Sequence, residues 1–164
     1  MGSLNPGLVY ETDVTHHLLF MCYYGYDTNT VRWISKVARS SNFYCSQHSQ
    51  SDLISNLNFP SISVGLTGAN RTRTVPRVLT NVAGNGNWTY KAVLEFGGAG
   101  PVSHVRVKVF PRKLTFTENG QRRSYKIKFS SKEDYLMNQE FVYGWITWTN
   151  PHFKVRSPFV VRMN

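Results

Sequence analysis

The sequence predicts a mainly β protein, an antiparallel β-sandwich that a short helical segment precedes. After residue 55, apolar and polar side chains alternate with a period of two, which is typical of half-buried strands. Before that point, apolar side chains recur every three or four residues, which is typical of amphipathic helices. Turn residues separate the alternating runs, as in other sandwiches. We therefore divide the chain into a helical lead with its linker, residues 1–54, and a sandwich, residues 55–164.

The helical lead contains two predicted amphipathic helices. In TDVTHHLLFMCYYG, Thr12 or Asp13 can cap the first helix and Gly25 can end it. DTNTVRWISKVARS repeats this plan, with Thr28 as its candidate cap. Each helix has a single apolar stripe, so the pair cannot form a core alone and must lie against another surface. The stripe positions are Val14, Leu18, Cys22, Val31, Ile34, Val37 and Ala38. Residues 40–54, rich in Ser and Gln, are predicted as a linker.

About seven or eight short strands are predicted in the sandwich. TYKAVLEF and VRVKV each place their apolar side chains on one face, and VYGWITWT and VRSPFVV close the series. LTFTENGQRRSYKIKF contains two alternating runs joined through Asn119 and Gly120, a dipeptide that favours a tight hairpin. Proline cannot donate a hydrogen bond to a strand ladder, so edges, strand ends or bulges are expected at Pro60, Pro76 and Pro158.

Charge and hydropathy limit the partners of the chain. The 164 residues carry a formal net charge of +10, which is compatible with an anionic partner. No apolar run approaches the roughly 18 to 20 residues that a membrane-spanning helix needs, so no membrane partner is expected.

The histidine and serine residues do not form a recognisable catalytic motif. A hydrolase needs a nucleophile, a neighbouring base and a group that orients the base. Ser103 and His104 are neighbours, but adjacent residues of a strand point to opposite faces. The sequence has no Gly-x-Ser-x-Gly turn. We therefore expect no catalytic residue and no cofactor in this chain.

The two cysteines, Cys22 and Cys45, admit two interpretations. They can form a disulfide that ties the first helix to the linker, or they can bind zinc together with His48 and with His16 or His17. Two glycosylation sequons, at Asn70 and Asn87, indicate a secretory route and favour the disulfide over the metal.

The region from Arg106 to Lys132 holds nine basic residues and a single acid, Glu118. Within it, alternation places four basic side chains on the solvent side of neighbouring strands: Arg106, Lys108, Lys126 and Lys128. A basic sheet face can bind a polyanion, and a merely solvated outer face is the alternative. Nucleic acid is not expected as the partner, because a sheet that reads nucleic acid needs exposed aromatic residues between the charges.

A series of short motifs runs along the chain in order: NPGLVYETD, HHLLFMCYYGY, SNLNFPSISV, RVLTNV, TYKAVLEF, RKLTF and VRSPFVV. Their order and spacing, from Leu4 to Val161, resemble the C-terminal part of plant subtilisin-like serine proteases (subtilases). Three stretches depart from the family pattern: RVLTNVAGNG, PVSHVRVKV and WTNPHFKV, the last of which carries Asn150 and Pro151 where the family usually has an Asp-Gly turn.

This resemblance implies a fold and a role. In the family, the segment that resembles residues 4–50 closes the catalytic domain, and a fibronectin type III-like β-sandwich follows and docks on that domain. The catalytic residues of the family lie upstream of NPGLVY, so none can be assigned here. The resemblance implies a non-catalytic domain that stabilises and positions a subtilisin-like catalytic domain in cis. It also implies secretion to the apoplast or cell wall, glycosylation, and pairing of Cys22 with Cys45.

The alternative function is a free-standing extracellular module. Such a module would bind an anionic polysaccharide through the basic sheet face of Arg106, Lys108, Lys126 and Lys128.

Overall fold

The computed structural model describes residues 5–36, 42–46, 51–97, 105–131 and 141–163. Its helices are α1 (Val14–Tyr24), α2 (Thr28–Ser35) and a 3₁₀ helix (Ser51–Asn56). Its strands are β1 (Leu8–Val9), β2 (Ile62–Leu66), β3 (Thr72–Asn81), β4 (Trp88–Phe96), β5 (Val105–Phe110), β6 (Lys113–Phe116), β7 (Arg122–Ser131), β8 (Phe141–Thr149) and β9 (Lys154–Met163).

The strands form two sheets that pack face to face. One sheet has the strand order β1-β3-β7-β5 and the other has the order β2-β9-β8-β4-β6. This arrangement confirms the predicted sandwich. The hairpin predicted through Asn119 and Gly120 was wrong, because the strands on either side of that turn, β6 and β7, lie in different sheets. One pairing differs from a purely antiparallel design, because β2 runs parallel to β9. The chain passes through β3 to β8 between these two strands, and a parallel pair needs such a long crossover connection.

The core lies between the sheets and is rich in aromatic side chains. Alternation along β7 and the middle of β4 turns one side chain in two inward, and Ile146 and Trp148 of β8 are buried in the same core. Tyr125 and Trp148 meet edge to face at 5.0 Å between ring centroids, and Tyr90 meets Phe116 at 5.9 Å. Aromatic pairs favour edge-to-face contact because the positive edge of one ring meets the negative face of the other.

The prolines lie where the ladder does not need their missing N–H group. Pro60 precedes β2. Pro76 lies on the part of β3 that is paired by β7 alone, since β1 reaches only Thr80 and Asn81. Pro158 lies on β9, one residue before the stretch that β2 pairs. These positions confirm the expected edges and strand ends.

The first helix begins and ends as the sequence predicts. The Asp13 side chain accepts a hydrogen bond from the His16 N–H at 2.9 Å, which identifies Asp13 rather than Thr12 as the cap. Gly25 ends α1 in the left-handed conformation, with φ of 117°, which a side chain would disfavour.

The second helix differs from the prediction at its start. Its cap is Asp27, and Thr28 is its first helical residue. The Asp27 carboxylate accepts from the N–H groups of Asn29 and Thr30, at 2.8 and 3.0 Å. A carboxylate at this position also interacts with the positive end of the helix dipole, which a hydroxyl does less well.

The two helices bury only part of their apolar stripes. Leu18, Cys22 and Val31 form a small buried cluster of their own. Val14 and Ile34, predicted on the same stripes, are 68% and 49% exposed. Val37 and Ala38 lie outside the described residues.

The sandwich takes its first strand from before the helices. Leu8 and Val9 form β1, which pairs with the end of β3, and Leu8 is buried in the main core. Sequence analysis missed this strand because two residues are too few for an alternating pattern. The helices therefore lie between the first two strands, while eight of the nine described strands follow them, as predicted.

Candidate interaction surfaces

The buried guanidinium of Arg77 connects strand β3 to the segment that leads into β2. Arg77 points inward from β3, and it is 2% exposed. It donates to four backbone carbonyl oxygens: those of Phe59 at 2.8 Å, Ser55 at 2.7 Å, Pro76 at 2.8 Å and Ser61 at 3.1 Å. None of the described carboxylates pairs with it, so carbonyl dipoles alone compensate its charge. Sequence analysis did not identify Arg77 as a structural residue. Its position between Val75 and Leu79, on the apolar side of an alternating run, could have indicated that it is buried.

Tyr10 carries a second polar anchor into the core. Its hydroxyl lies 2.6 Å from the Tyr125 hydroxyl and 2.6 Å from the Ser157 Oγ. Burial raises the pKa of Tyr10 and raises that of Tyr125 well above its ordinary value. Both phenols therefore stay protonated at neutral pH, and in each of these hydrogen bonds either hydroxyl group can be the donor.

A third set of contacts joins the chain ahead of α1 to the outer face of β3. The Asn58 amide group donates to the carbonyl oxygens of Glu11 and Val78, each at 3.0 Å, and its oxygen accepts from the Val78 N–H at 2.8 Å. The Glu11 carboxylate accepts from the Thr80 hydroxyl at 2.9 Å and from the Arg122 guanidinium. The lead is thus attached to the sandwich by directional hydrogen bonds.

Three carboxylates in or beside the lead have pKa values below their ordinary range. The Arg122 hydrogen bond lowers the pKa of Glu11. The backbone N–H of His16 lowers that of Asp13, and the Thr30 hydroxyl lowers that of Asp27. Because the folded state holds these groups ionised, they stabilise it above about pH 4, the usual pKa of an unfolded carboxyl group, and that stabilisation disappears as the pH falls.

We expect the lead to lose helical structure on acidification below about pH 4, while the sandwich remains folded. Amide hydrogen exchange in α1 and α2, compared with exchange in β7 and β8, measures this difference. The matched control replaces Asp13 and Asp27 with asparagine, which caps a helix without titrating. An unchanged acid transition of the helices in that double variant would contradict the assignment.

The lead leaves many large apolar side chains exposed. Trp33 is 83% exposed, and Phe20, Tyr24 and Tyr26 form a continuous series of stacked rings with centroids 6.3 and 6.0 Å apart. Among the described residues of the lead, the large apolar side chains that are exposed are Val14, Phe20, Tyr24, Tyr26, Trp33, Ile34 and Tyr44. Such a group on a small unit is typical of a surface that contacts another protein. The single apolar stripes predicted that the lead could not bury all of its own apolar side chains, and the exposed residues confirm this prediction.

A second apolar surface lies on the outside of the larger sheet. Phe141, Tyr143 and Trp145 alternate along β8 and form what we term the β8 stripe. Tyr143 contacts Trp145 edge to face at 6.1 Å, and the Arg156 guanidinium lies 4.1 Å from the Trp145 ring centroid. Phe141 is 63% exposed. An aromatic stripe beside arginine is typical of protein interaction surfaces.

The four predicted basic residues lie on one face, the outer side of the smaller sheet. Arg106 and Lys108 are exposed on β5, and Lys126 and Lys128 are exposed on the adjacent β7. The structure thereby brings together the basic face that the sequence predicted. Its ligand remains a prediction.

Cys22 and Cys45 form a disulfide that closes the lead, with their Cα atoms 5.2 Å apart. Both sulfur atoms are therefore unavailable as metal ligands. The other residues of the zinc hypothesis have different roles or positions. His16 and His17 hydrogen-bond to Asp13 through their Nδ1 atoms, at 2.7 and 2.9 Å, and His48 lies outside the described residues. No cluster of three metal-ligating side chains occurs in the described part of the chain.

Both sequon asparagines are exposed in loops at opposite ends of β3. Asn70 lies between β2 and β3, and Asn87 lies directly before β4. These positions are accessible to a glycosyltransferase. Ser103 and His104, weighed as a catalytic pair, lie outside the described residues. No helix in the described ranges combines the length and apolar character needed to cross a bilayer.

Comparison with known proteins agrees with this architecture. Residues 56–161 match the family described as "Fibronectin type-III domain". The chain is 39% identical over 160 residues to the CO(2)-response secreted protease of Arabidopsis thaliana, and 37% identical over 164 residues to subtilisin-like protease SBT5.1 of the same plant. Each alignment covers 98% of this chain but 20% of the relative, so the chain spans about a fifth of the length of these relatives.

One solved structure with a similar fold is a family 123 glycoside hydrolase from Clostridium perfringens. It aligns with a TM-score of 0.45 at 11% identity, over 68% of this chain and 24% of that chain. A likeness at this level carries no argument about function.

The two facing sheets define a β-sandwich of the fibronectin type III class, to which a disulfide-closed helical lead is attached. The chain belongs to the fibronectin type-III domain family and is homologous to the C-terminal region of plant subtilisin-like proteases. This confirms the resemblance found in the sequence.

Proposed function

We propose that this chain acts as a non-catalytic C-terminal domain of a subtilisin-like serine endopeptidase. In this role it stabilises and positions the catalytic domain in cis. The observation that carries the proposal is the exposed apolar group on the lead, with Trp33 83% exposed. Removing this area from water by packing against a second domain is favourable, at roughly 25 cal/mol per Å².

Two further observations support an accessory role. The relatives are named as proteases, and the alignments cover 20% of their length. The side chain of His16 completes the capping box of α1 with Asp13, and His17 hydrogen-bonds to the Asp13 carbonyl oxygen, so both have a structural role in the lead.

The proposal places the chain in the extracellular space of a plant, in the apoplast or cell wall, with glycans on Asn70 and Asn87. The disulfide between Cys22 and Cys45 supports an oxidising compartment. The accessible loop positions of both sequons support the glycosylation.

Replacing Trp33 with serine is expected to weaken binding of this chain to a subtilisin-like catalytic domain by about 30-fold or more, because a large aromatic anchor is lost. The partner in the experiment is the catalytic domain of an Arabidopsis relative produced without its own C-terminal region. Binding is measured by titration calorimetry, and the thermal half-life of the catalytic domain is measured with and without the chain.

The matched control is Phe110→Ser, which removes an aromatic residue that is 76% exposed on the smaller sheet. It should leave binding unchanged. Equal loss in both variants, or peptide hydrolysis by the purified chain alone, would contradict the accessory role.

A further inference from the structure

The outer face of the smaller sheet arranges its basic side chains in rows across the strands. Lys108 on β5 lies directly opposite Lys128 on β7, and Thr74 on β3 completes that row. The next row contains Phe110, Lys126 and Pro76. Neighbouring strands are about 4.8 Å apart, and rows on one face are about 6.8 Å apart. The charges therefore form a compact grid.

This grid carries an unfavourable electrostatic arrangement in the free protein. Like charges directly opposite one another destabilise an antiparallel pair, and Lys108 faces Lys128 in that way. The outward positions of β3, β5 and β7 from Thr72 to Val78 and their partners include no carboxylate. In the described part of the chain, no ion pair involves Arg106, Lys108, Lys126 or Lys128. A bound polyanion would relieve this repulsion.

The row beside the paired lysines adds an apolar shelf to the charges. The Phe110 ring is 76% exposed and flanks Lys126 on one side, while the exposed Pro76 flanks it on the other. An exposed aromatic ring packs favourably on an apolar C–H surface, which the rings of a sugar polymer provide and a bare phosphate chain does not.

We propose that this face binds a carboxylate-bearing polysaccharide, a polyuronate. Lys108, Lys128 and Arg106 contact its carboxylates, and Phe110 packs against the face of one sugar ring. The exposed Thr74 hydroxyl, beside Lys128, is placed to donate a hydrogen bond to the polymer. The proposal is independent of docking to a catalytic domain, because the exposed apolar residues of the lead take no part in it.

The first test measures retention of the whole chain on immobilised polygalacturonate as salt is increased. The double variant K108E/K128E should bind at least about tenfold more weakly than the original chain, since two attractive contacts become repulsive. The control K91E/K154E makes the same change in net charge on exposed positions of the larger sheet and should retain binding. Equal weakening in both double variants would show that only net charge matters and would overturn the proposal.

The second test separates a polyuronate from other polyanions. Phe110→Ser should weaken binding to polygalacturonate several-fold and leave binding to inorganic polyphosphate unchanged. If the variant leaves both affinities unchanged, or if single-stranded DNA binds as tightly as polygalacturonate, the assignment to a sugar polymer is wrong.

The third test uses stability. Lys128→Gln removes half of the opposed pair, so it should raise the melting temperature of the free chain while it weakens polygalacturonate binding. Polygalacturonate should in turn raise the melting temperature of the original chain more than that of this variant. A variant that melts lower and binds equally well would contradict a binding role for the pair.

Discussion

Replacing Arg77 with methionine is expected to lower the free energy of unfolding by about 3–5 kcal/mol. Methionine has a similar length but no donor, so four carbonyl oxygens lose their hydrogen bonds, including those of Ser55 and Phe59. Each such bond from a charged donor contributes about 1.5–3 kcal/mol, and part of that loss is offset because the charge no longer has to be desolvated. Methionine fits the apolar surroundings, so the loss falls short of the sum of the bonds.

Equilibrium urea unfolding followed by tryptophan fluorescence measures the effect of the Arg77 substitution. The matched control is Arg123→Met on β7, whose exposed guanidinium donates to the Thr115 carbonyl oxygen at 3.1 Å. We expect the control to change stability by less than about 1 kcal/mol. An Arg77→Met protein as stable as the control would show that the segment from Ser55 to Ser61 is held by packing alone.

Replacing both Cys22 and Cys45 with alanine is expected to destabilise the lead by roughly 3 kcal/mol, the chain-entropy value for a loop of this length. The cysteines are 23 residues apart, and among the described residues the fully buried part of the cluster that they close consists of Leu18, Cys22 and Val31. So small a core cannot compensate for the lost cross-link. The main sandwich core contains neither cysteine, so its melting transition should shift little.

Amide hydrogen exchange resolves the two regions in the double alanine variant, with faster exchange expected in α1 and α2 than in β7. Reduction of the original chain with a thiol should reproduce the variant. If zinc restored the lead in the reduced chain, the metal hypothesis for these cysteines would regain support. Equal destabilisation of helices and strands would instead mean that lead and sandwich unfold as one cooperative unit.

Local chemistry explains which parts of the fold were predictable. Asp13 caps α1 and Gly25 ends it through contacts within a few residues, and those contacts are encoded in the local sequence. The inward and outward faces of VRVKV, and of the run after Asn119 and Gly120, could likewise be predicted, because successive side chains of a strand point to opposite faces. The basic face could be predicted for the same reason, because side chains at alternate positions of a strand share a face.

Other features depend on partners far away in the chain and could not be predicted in this way. Leu8 joins the core only because β3, more than sixty residues later, supplies an edge beside it. The role of Arg77 depends on a segment that crosses the open edge of β3. Ile34 is exposed although it shares a stripe with Val31, because only Val31 packs against the buried Leu18 and Cys22 of α1.

By itself the sequence determined that two helices precede the alternating strands, which face each residue of those strands takes, and that Cys22 and Cys45 can form a disulfide. Only the tertiary structure decided that β1 belongs to the sandwich, that β2 runs parallel to β9, and that Lys108 lies opposite Lys128. The physical reason is the separation along the chain of the residues that interact. Periodicity and capping act within a few residues, whereas strand register and the burial of Arg77 arise from free-energy gains shared by segments distant in the sequence.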